Sequence, residues 1–547
     1  MAELLRFHLA QLNPTVGDIP GNKAKIIRAY NDAVDDGSDC VIFTELCTVG
    51  YPPQDLLYQD QFIEDNVDAL YDIAEETGKV PALVGFVDER EDQIYNAVAV
   101  LYNGGVHQIV HKRLLPTYDV FDEARYFACP TEVKLPQVPV GGKKLSLGIH
   151  ICEDLWDGYY KLKPVDELAD AGADIFINLS ASPFYSGKVY ERIDLAKKKS
   201  QKFNTPFLYC SQVGGQDELI YDGNSFALDA SGKLLTKAKA FDNDLVAVEI
   251  DIENGSGNAA DIPQYSREEE IFRALVLGLH DYCRKAGFES AVMGLSGGID
   301  SSLTAVIAKE ALGAENVYGI SMPSRFSSEH SKSDAQLLAE NLGIHYQEIA
   351  IHETYESYLE MLSEPLADTE PDETEENIQA RIRGNILMAF SNKFGHIVLS
   401  TGNKTELALG YCTLYGDMTG GLAVISDVSK MDVYGLCQWY NHTHDAEIVP
   451  ENVLTKPPSA ELKEDQEDPF DYNVVSPLVD EIIERHRTRE ELVAMGFERE
   501  LVRDIKRMIK RAEYKRRQAA PGLKVTRKSF GSGRRVPIIN HYREEEV

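Results

Sequence analysis

One stretch, AVMGLSGGIDSSLTAVIAKEALG at residues 291–313, constrains the fold most. The apolar run Ala291–Leu295 leads into a loop of glycines and serines, and an apolar-periodic helix follows. Such a loop suits phosphate, because small residues let an anion approach the backbone at a helix N-terminus. A strand at Asn316–Met322, a helix at Ser328–Leu342 and a strand at His396–Ser400 continue the alternation. This order predicts an α/β domain with a parallel sheet, whose ligands bind at the strand C-termini.

The loop differs from the common GxxxxGK[ST] phosphate loop. No lysine follows the glycines, and Asp300 lies within the loop, where it would repel phosphate unless a cation such as Mg²⁺ lay between them. Gly297 and Gly298 allow close approach to the backbone, while Ser296 and Ser301 supply hydroxyl donors. A glycine turn with a serine cap is the structural alternative. The flanking strand and helix favour a phosphate site.

The fingerprint S-G-G-x-D-S at 296–301 resembles the N-type ATP pyrophosphatases. That family cleaves ATP between the α and β phosphates, adenylates an acceptor oxygen, and lets a nitrogen nucleophile displace AMP. The stretches TEENIQARIRGNILMAFSN and LSTGNKTELALGYCTLYGDMTGG are similar to the NAD synthetases, as are KPPSAEL and KRRQAAPGLKVTRKSFG. The resemblance covers nearly all of 265–540 and implies a Rossmann-like ATP pyrophosphatase domain.

The same resemblance implies roles for individual residues. Those expected to hold ATP are Gly294, Leu295, Ser296, Gly297, Gly298, Ile299, Asp300, Ser301 and Thr401. Those expected to contact deamido-NAD are Asn377, Glu406 and Lys515. The expected ligands of the Mg²⁺ that accompanies ATP are Asp300 and Glu406. Candidates for phosphate or pyrophosphate contacts, where fixed cations would stabilise the departing charge, are Arg381, Arg383 and Lys430. The alternatives are a surface charge for each cation and a turn residue at Thr401.

The first half of the chain alternates apolar runs that are typical of buried strands, such as LLRFHLAQL, LSLGIHIC and PFLYCSQV, with a helix around Ile26–Val34. A hairpin is predicted at Asn103-Gly104. Strands outnumber helices, so we expect a layered α/β domain with mixed sheets at 1–252. Residues 253–265, ENGSGNAADIPQY, have no period and predict a linker to a second domain at 266–547.

Three chemically different side chains stand at predicted strand ends in this first half. Cys152 follows LSLGIHI, Glu45 ends DCVIFTE, and Lys112 ends QIVHK. Alone, Cys152 is more typical of a buried structural thiol. Together they form a Glu-Lys-Cys set, in which a carboxylate can relay protons, a fixed ammonium can stabilise developing negative charge and a thiolate can attack a carbonyl carbon.

This Glu-Lys-Cys pattern resembles the nitrilase, or carbon-nitrogen hydrolase, superfamily and implies an αββα sandwich. By that resemblance Cys152 attacks the amide, Glu45 is general base and acid, and Lys112 stabilises the oxyanion. The candidates for holding glutamine are Tyr118, Ser180, Ser182 and Lys188. Glu123 is expected as a further acid near Lys112. Packing for the tyrosine and turn roles for the serines are the alternatives. Thr44 stands where many relatives have proline.

Both halves together resemble the glutamine-dependent NAD synthetases. The implied reaction converts deamido-NAD, ATP, glutamine (or ammonia) and water to NAD, AMP, PPi and glutamate, with Mg²⁺ and no prosthetic group. An enclosed route for ammonia is a hypothesis from this chemistry. KEDQEDPFDY lacks the Leu-Pro-x-Tyr ending of longer relatives, so the resemblance implies nothing about the substrate loop there. The rivals are amidation of another carboxylate and a non-catalytic nucleotide sensor, which predicts damaged sites, whereas Glu45, Lys112, Cys152 and Asp300 are intact.

The charge balance restricts the partners. With 89 acidic and 55 basic residues, the net charge of −34 disfavours binding to nucleic acid or an anionic membrane. A basic stretch between Lys506 and Arg535 indicates a small anionic ligand instead. No apolar run reaches the roughly 18 residues of a membrane span, and the start of the chain lacks a signal-peptide pattern. Eight cysteines without paired spacing favour reduced thiols in the cytoplasm. We expect a homo-oligomer, with a dimer favoured.

Overall fold

The chain divides into two units, Met1–Tyr265 and Ser266–Val547. The computed structural model describes residues 4–258, 264–463 and 466–542. Within the predicted linker 253–265, Ser256 and Gly257 pair with the strand before them, and residues 259–263 lie outside the described residues. The sheet of the first unit therefore extends five residues beyond 252.

The first unit consists of fifteen strands and four α-helices within its described residues. The strands are β1 Leu5–Gln11, β2 Cys40–Ile42, β3 Ala82–Arg90, β4 Gln93–Tyr102, β5 Gly105–His111, β6 Gln137–Val140, β7 Lys143–Ile151, β8 Ile175–Ser180, β9 Phe207–Ser211, β10 Val213–Gln216, β11 Leu219–Asp222, β12 Phe226–Leu228, β13 Leu234–Lys237, β14 Asp244–Asp251 and β15 Ser256–Gly257. The helices are α1 Ile19–Asp35, α2 Asp60–Glu76, α3 Pro164–Asp170 and α4 Lys188–Phe203.

These strands form two large mixed sheets. One has the order β15-β14-β1-β2-β3-β4-β5, and the other has the order β13-β12-β9-β8-β7-β6. In the first, Leu9 of β1 pairs with Ile42 in parallel and with Val246 in antiparallel register. In the second, β7, β8 and β9 run parallel. Their C-terminal ends therefore lie at one edge of that sheet.

Alternate side chains of both sheets meet in one core. Phe7 and Ile42 of the first sheet share a fully buried cluster with Ile149 and Ile177 of the second. The outer face of the first sheet packs on α1 and α2, and that of the second packs on α3 and α4. Each fully buried side chain of this size stabilises the fold by about 1.5–3 kcal/mol. The predicted αββα sandwich is confirmed.

The second unit consists of five strands and twelve α-helices within its described residues. The strands are β16 Ala291–Gly294, β17 Val317–Ser321, β18 His345–Glu348, β19 Ile397–Ser400 and β20 Leu422–Ala423. The helices are α5 Arg267–Ala286, α6 Ile299–Leu312, α7 Glu329–Leu342, α8 His352–Leu362, α9 Glu373–Phe394, α10 Lys404–Leu409, α11 Lys430–His444, α12 Glu451–Thr455, α13 Tyr472–Glu484, α14 Arg489–Ala494, α15 Arg499–Arg511 and α16 Glu513–Arg516. Among the helices of both units' described ranges, none has the length and apolarity needed to cross a bilayer.

The second unit is built on one parallel sheet of order β18-β17-β16-β19-β20. Side chains of α8 and α9, such as Tyr355 and Ile382, pack on Ile320 and Val398 of the sheet, while α6 packs on β16 and β17. The strand order reverses between β16 and β19. In such sheets the crevice at the carboxyl ends of the two strands where the order reverses is the usual ligand site. The predicted parallel-sheet domain is confirmed.

Candidate active sites

The thiol site of the first unit comprises Glu45, Lys112, Glu123 and Cys152. Cys152 follows β7 directly, and Lys112 follows β5 directly. Glu45 lies three residues past β2, because the strand ends at Ile42 rather than continuing to the carboxylate as predicted. The loops after these strands place the four side chains in the interior, each 5 % exposed or less.

Buried ion pairs hold the lysine of the thiol site. Lys112 Nζ lies 2.7 Å from Glu45 Oε1 and 2.7 Å from Glu123 Oε1. Asn96 Nδ2 donates to Glu45 Oε1 at 2.8 Å, and Tyr51 OH donates to Glu123 Oε1 at 2.7 Å. Removing one member of such a buried pair typically costs about 3–5 kcal/mol, because it leaves an uncompensated charge. The position of the ammonium is therefore fixed by the fold.

The electrostatics of this cluster keep Lys112 charged. Burial would lower the pKa of Lys112, but Glu123 and Glu45 outweigh it and hold that pKa well above its usual range. Burial raises the pKa of Glu123, although Lys112 opposes the shift. The result is a permanent cation, held by two carboxylates, beside the thiol.

Cys152 occupies a strained backbone position at a sharp turn from strand to 3₁₀-helix. Its φ is 41°, in the left-handed region, which costs a non-glycine residue about 1–2 kcal/mol. Burial first, and then the charge of Glu45, raise the pKa of the thiol, while Lys112 and a hydrogen bond from Ser180 lower it. The resting group is therefore the protonated thiol, which requires a base before it can attack.

The segment after β8 connects the thiol to the ion pair. Tyr209 OH donates to Ser180 Oγ at 2.8 Å, and the next residue, Ala181, donates its backbone N–H to Glu45 Oε2 at 2.8 Å. Ser182 instead gives its carbonyl oxygen to the buried Arg192 at 2.8 Å. Ser180 thus lies at the thiol. For Ser182 the structure shows a backbone contact behind the site.

Of the other predicted glutamine contacts, Tyr118 binds a carboxylate that sequence reasoning missed, that of Glu153. Tyr118 OH donates to Glu153 at 3.0 and 3.2 Å, and Tyr160 OH donates to the same carboxylate at 3.0 Å. Lys188 Nζ donates to the Pro183 carbonyl at 2.7 Å. The available signal for Glu153 was its place directly after the cysteine, in the acidic pair Glu153-Asp154 that follows an apolar strand.

The second site is a cavity of about 610 Å³ at the point where the strand order of the parallel sheet reverses. A volume of 300–1,000 Å³ is typical of small-molecule sites. The predicted residues that line this cavity are Ser296, Gly298, Ile299, Asp300, Ser301, Asn377, Thr401, Glu406, Lys430 and Lys515. Within the described part of the chain, the predicted residues outside its lining are Gly294, Leu295, Gly297, Arg381 and Arg383.

The glycine-serine loop between β16 and α6 forms one wall of this cavity. Gly297 has φ 76°, and a Cβ there would lie 2.2 Å from the Ser331 carbonyl oxygen, so no other residue fits without a shift. The Gly298 N–H donates to Ser296 Oγ at 3.2 Å, and Ser301 Oγ lies 3.1 Å from the same hydroxyl. Two hydroxyls thus stand at the N-terminus of α6, where the helix dipole favours an anion.

An acidic pair and a lysine face each other in the cavity. Lys430 Nζ donates to Asp300 Oδ2 at 2.5 Å and to Glu406 Oε1 at 3.2 Å, and Asn403 Nδ2 donates to Asp300 Oδ1 at 2.8 Å. Burial first, and then Asp300, raise the pKa of Glu406 to about 7, against the effect of Lys430. Lys430, predicted as a phosphate contact, therefore pairs with the two predicted metal ligands.

The donor set fits Mg²⁺ bound together with a phosphate. Among the described residues, no group of three or more His, Cys, Asp and Glu side chains could hold a metal by itself. Asp300 and Glu406 offer two hard oxygen ligands in one cavity. Mg²⁺ usually takes one or two carboxylates and completes its shell with water and substrate phosphates, so the two residues suit it.

Four further predicted contact residues make hydrogen bonds within the protein, and two of them line the cavity. Asn377 accepts a hydrogen bond from Thr413 Oγ1 at 2.6 Å, and Lys515 Nζ donates to the carbonyls of Gly410 and Cys412 at 2.8 and 2.7 Å. Arg381 Nε donates to the Leu414 carbonyl at 3.2 Å, and Arg383 Nε donates to the Met322 carbonyl at 3.0 Å. Asn377 and Lys515 line the cavity. A phosphate role for the two arginines stays a prediction.

The segment 456–462 closes another side of the cavity, and sequence reasoning gave its residues no role. Glu461 accepts hydrogen bonds from Ser328 Oγ at 2.9 Å and Ser331 Oγ at 2.7 Å, and Lys456 Nζ donates to Ser331 Oγ at 3.1 Å. Ser331 is also the residue whose carbonyl lies against Gly297. In the divergent stretch after it, residues 464–465 lie outside the described residues, while Gln466 lines the cavity.

Each of the two units matches a known protein family. Residues 8–256 match the carbon-nitrogen hydrolase family, and residues 271–519 match the NAD synthase family. The chain is 46% identical to a glutamine-dependent NAD(+) synthetase of Synechocystis sp., with 98% of each chain covered. It is 45% identical to one of Thermotoga maritima, with 99% of each covered. A solved glutamine-dependent NAD+ synthetase of Acinetobacter baumannii, in complex with ADP, has a TM-score of 0.80 and 36% identity over 98% of this chain and 99% of that one.

Proposed function

The chain belongs to the glutamine-dependent NAD(+) synthetase family, and on that premise we propose which residues of its two sites carry out each step. The enzyme amidates deamido-NAD to NAD, with ATP as co-substrate and glutamine as the nitrogen donor. Two arrangements together carry the assignment. Cys152 lies beside the Glu45–Lys112 ion pair in one unit, and the Ser296 loop lies where the strand order of the parallel sheet reverses in the other.

Cleavage of glutamine begins at Cys152. Glu45 takes the thiol proton while the sulfur attacks the side-chain amide carbon, and Lys112 faces the oxyanion that forms. The C–N bond then breaks, ammonia leaves with the proton that Glu45 returns, and a glutamyl thioester remains on the sulfur. Water, deprotonated by Glu45, hydrolyses the thioester to glutamate, and the thiol regains its proton. The high pKa of the resting thiol supports the need for this base.

The groups beside the thiol suit the polar end of glutamine. Glu153 carries a buried carboxylate that can receive the α-ammonium, with Tyr118 and Tyr160 orienting it. Lys188, buried near the Trp156 ring at 5.7 Å, is the cation for the α-carboxylate. Ser180 forms a hydrogen bond with the Cys152 thiol. The carbonyl of Ser182 accepts a hydrogen bond from Arg192, which fixes the segment after β8.

Activation of deamido-NAD occurs in the cavity of the second unit. A nicotinate carboxylate oxygen attacks the α-phosphorus of ATP, and PPi leaves. Ammonia attacks the resulting acyl adenylate at its carbonyl carbon, AMP leaves, and loss of a proton gives the carboxamide of NAD. Ser296, Ser301 and the N-terminus of α6 offer donors to phosphate oxygens. Gly294, Leu295, Gly297 and Gly298 set the path of the loop rather than contributing side chains.

Asp300 and Glu406 would hold Mg²⁺ with the ATP phosphates, and the bound ion would neutralise phosphate charge. Lys430 Nζ, 2.5 Å from Asp300 Oδ2, is a fixed cation beside these carboxylates. It can stabilise the negative charge of the departing PPi. Asn377 and Lys515 line the same cavity and are proposed to contact deamido-NAD. Thr401 directly follows β19, the strand beside β16, lines the same cavity and is proposed to contact ATP.

One pair of assays tests this division of labour. Cys152→Ala is expected to abolish NAD formation with glutamine while ammonium chloride still supports it, because the thiol serves only nitrogen release. Asp300→Ala should remove NAD formation with either nitrogen source, since ATP is activated only in the second unit. Loss of both activities in a folded Cys152→Ala protein would refute the separate roles.

We also propose that the first domain ends with β15 at Gly257, five residues past the predicted boundary at 252, and that the second domain is 266–547. We propose further that the enzyme works in the cytoplasm and is a homo-oligomer, with a dimer favoured. Eight free cysteines, six of them buried, support a reducing compartment. Light scattering of the purified protein coupled to gel filtration tests the oligomeric state, and a monomer at assay concentration would refute it.

A further inference from the structure

We infer that Tyr221 is a further substrate-contacting residue of the thiol site, whose hydroxyl donates a hydrogen bond to the reacting carboxamide of glutamine. This inference rests on the proposed amide cleavage at Cys152. Tyr221 belongs to β11, in the hairpin of β10 and β11, and has no assigned role in the reaction above.

Tyr221 packs beside the residues that surround the thiol site. Its side chain shares one buried cluster with Leu46, Tyr51 and Ala181. Leu46 follows Glu45 in the chain, and the backbone N–H of Ala181 donates to Glu45 Oε2. The Tyr51 ring, whose hydroxyl donates to Glu123, lies edge-on to the Tyr221 ring at 6.4 Å between centroids. Tyr221 therefore packs on the residues that hold both carboxylates.

The hydroxyl of Tyr221 is buried and lacks a hydrogen-bond partner among the described residues, with the residue 0% exposed. Leaving such a group unsatisfied is costly, and buried polar groups in native proteins nearly always find a partner. A tyrosine of the same unit shows the ordinary outcome, since Tyr30 OH donates to the Val80 carbonyl at 2.8 Å and accepts from the Gly78 N–H at 2.9 Å. The unsatisfied hydroxyl at a reaction site indicates that its partner is the substrate.

The chemistry restricts what Tyr221 can contact. Burial first, and then the negative charge of Glu45, raise the pKa of its phenol well above the usual range, so the hydroxyl keeps its proton and acts as a donor. Glu45 takes part in the reaction with the amide, whereas Glu153 does not. The acceptor that suits a neutral donor at this end is the amide oxygen, whose negative charge grows in the transition state.

The test compares Tyr221→Phe with the wild type in the full-length enzyme. NAD formation is measured with glutamine, for kcat and KM, and with ammonium chloride. We expect kcat/KM for glutamine to fall about tenfold or more, through a lower kcat rather than a higher KM. The reason is that a contact to the reacting group is strongest in the transition state. The rate with ammonia should stay within about twofold, and the thermal midpoint should not fall, since no protein partner is lost.

Tyr30→Phe is the matched control, because it removes a buried hydroxyl of the same unit that has two protein partners. It should lower the thermal midpoint and leave the glutamine kinetics unchanged. Unchanged glutamine kinetics in Tyr221→Phe, a rise in KM alone, or an equal loss with ammonia would each overturn the assignment. If Cys152→Ala, assayed in parallel, still used glutamine, the proposed cleavage itself would fail, and not merely the role of Tyr221.

Discussion

Gly297→Ala should inactivate the ATP loop without unfolding the enzyme. Gly297 has φ 76°, and an added Cβ would lie 2.2 Å from the Ser331 carbonyl oxygen, whereas real Cβ contacts are essentially never closer than 3.0 Å. The loop or α7 must therefore separate by about 0.8 Å. A misplacement of about 1 Å at a reacting site can cost about 10²-fold in rate. The left-handed backbone adds about 1–2 kcal/mol of strain to the folded state.

The assay for this variant is NAD formation with ammonium chloride, so that the thiol site does not contribute. We expect kcat/KM for ATP to fall about 10²-fold, with the thermal midpoint lowered by a few degrees. Gly287→Ala is the control, since Gly287 has φ 81° and nothing within 4 Å of an added Cβ. It should lose similar stability and keep its ATP kinetics. Wild-type kinetics in Gly297→Ala, or the same kinetic loss in both variants, would refute the steric reasoning.

Three further perturbations have defined outcomes. Lys112→Gln leaves Glu45 and Glu123 buried without their cation, so calorimetry should show a loss of about 3–5 kcal/mol and glutamine hydrolysis should fall at least 10²-fold; unchanged hydrolysis would contradict the oxyanion role. Asp300→Asn keeps the size of the side chain but removes its charge, so the Mg²⁺ concentration for half-maximal ammonia-driven rate should rise at least tenfold; no change would exclude it as a ligand. Burial lowers the pKa of His150 from 6.5 to about 4, so its neutral ring contributes stability that is complete above pH 6.5 and is lost as the pH falls towards 4. Because this loss amounts to about 3 kcal/mol, His150→Gln should show a shallower fall in unfolding free energy over that interval, and parallel curves would contradict the assignment.

The parallel-sheet unit follows closely from the sequence because its signals are local. The predicted strand Ala291–Leu295 and helix Ser328–Leu342 match β16 and α7 to within one residue. By contrast, β18, His345–Glu348, is an edge strand whose side chains are mostly exposed, so it has no apolar run to detect. The two-residue β20 is too short for any period. Edge strands of this kind are defined by their pairing with distant chain segments.

In the sandwich, the hairpin prediction was correct because its turn residues are diagnostic. Asn103 and Gly104 both have positive φ, 54° and 81°, as a two-residue turn between β4 and β5 requires. Glu45 was placed at a strand end, whereas β2 stops at Ile42 and the carboxylate lies on the following loop. Apolar character continues past the strand there because that loop is itself buried, which a hydrophobicity pattern cannot distinguish from a strand.

The candidate sites show which contacts a sequence can indicate. Residues whose chemistry is unusual for their position, such as Cys152 and Asp300, were identified from the motif around them. The sequence around Tyr51 and Tyr221 does not distinguish them from core tyrosines. Their place beside the carboxylates depends on tertiary packing. Lys430 was expected at a phosphate, and its pairing with Asp300, 130 positions away, could come only from the fold.

The most direct measurement follows isotopic nitrogen and the fate of ATP in a single reaction. The enzyme is supplied with deamido-NAD, ATP, Mg²⁺ and glutamine labelled with ¹⁵N in its side-chain amide, and the products are resolved by mass spectrometry. We expect NAD labelled in its carboxamide, formed in equal amounts with AMP and PPi. When deamido-NAD is omitted, neither AMP nor PPi should form. Formation of ADP and phosphate, or label that reaches ammonium while deamido-NAD stays unchanged, would contradict the proposed reaction.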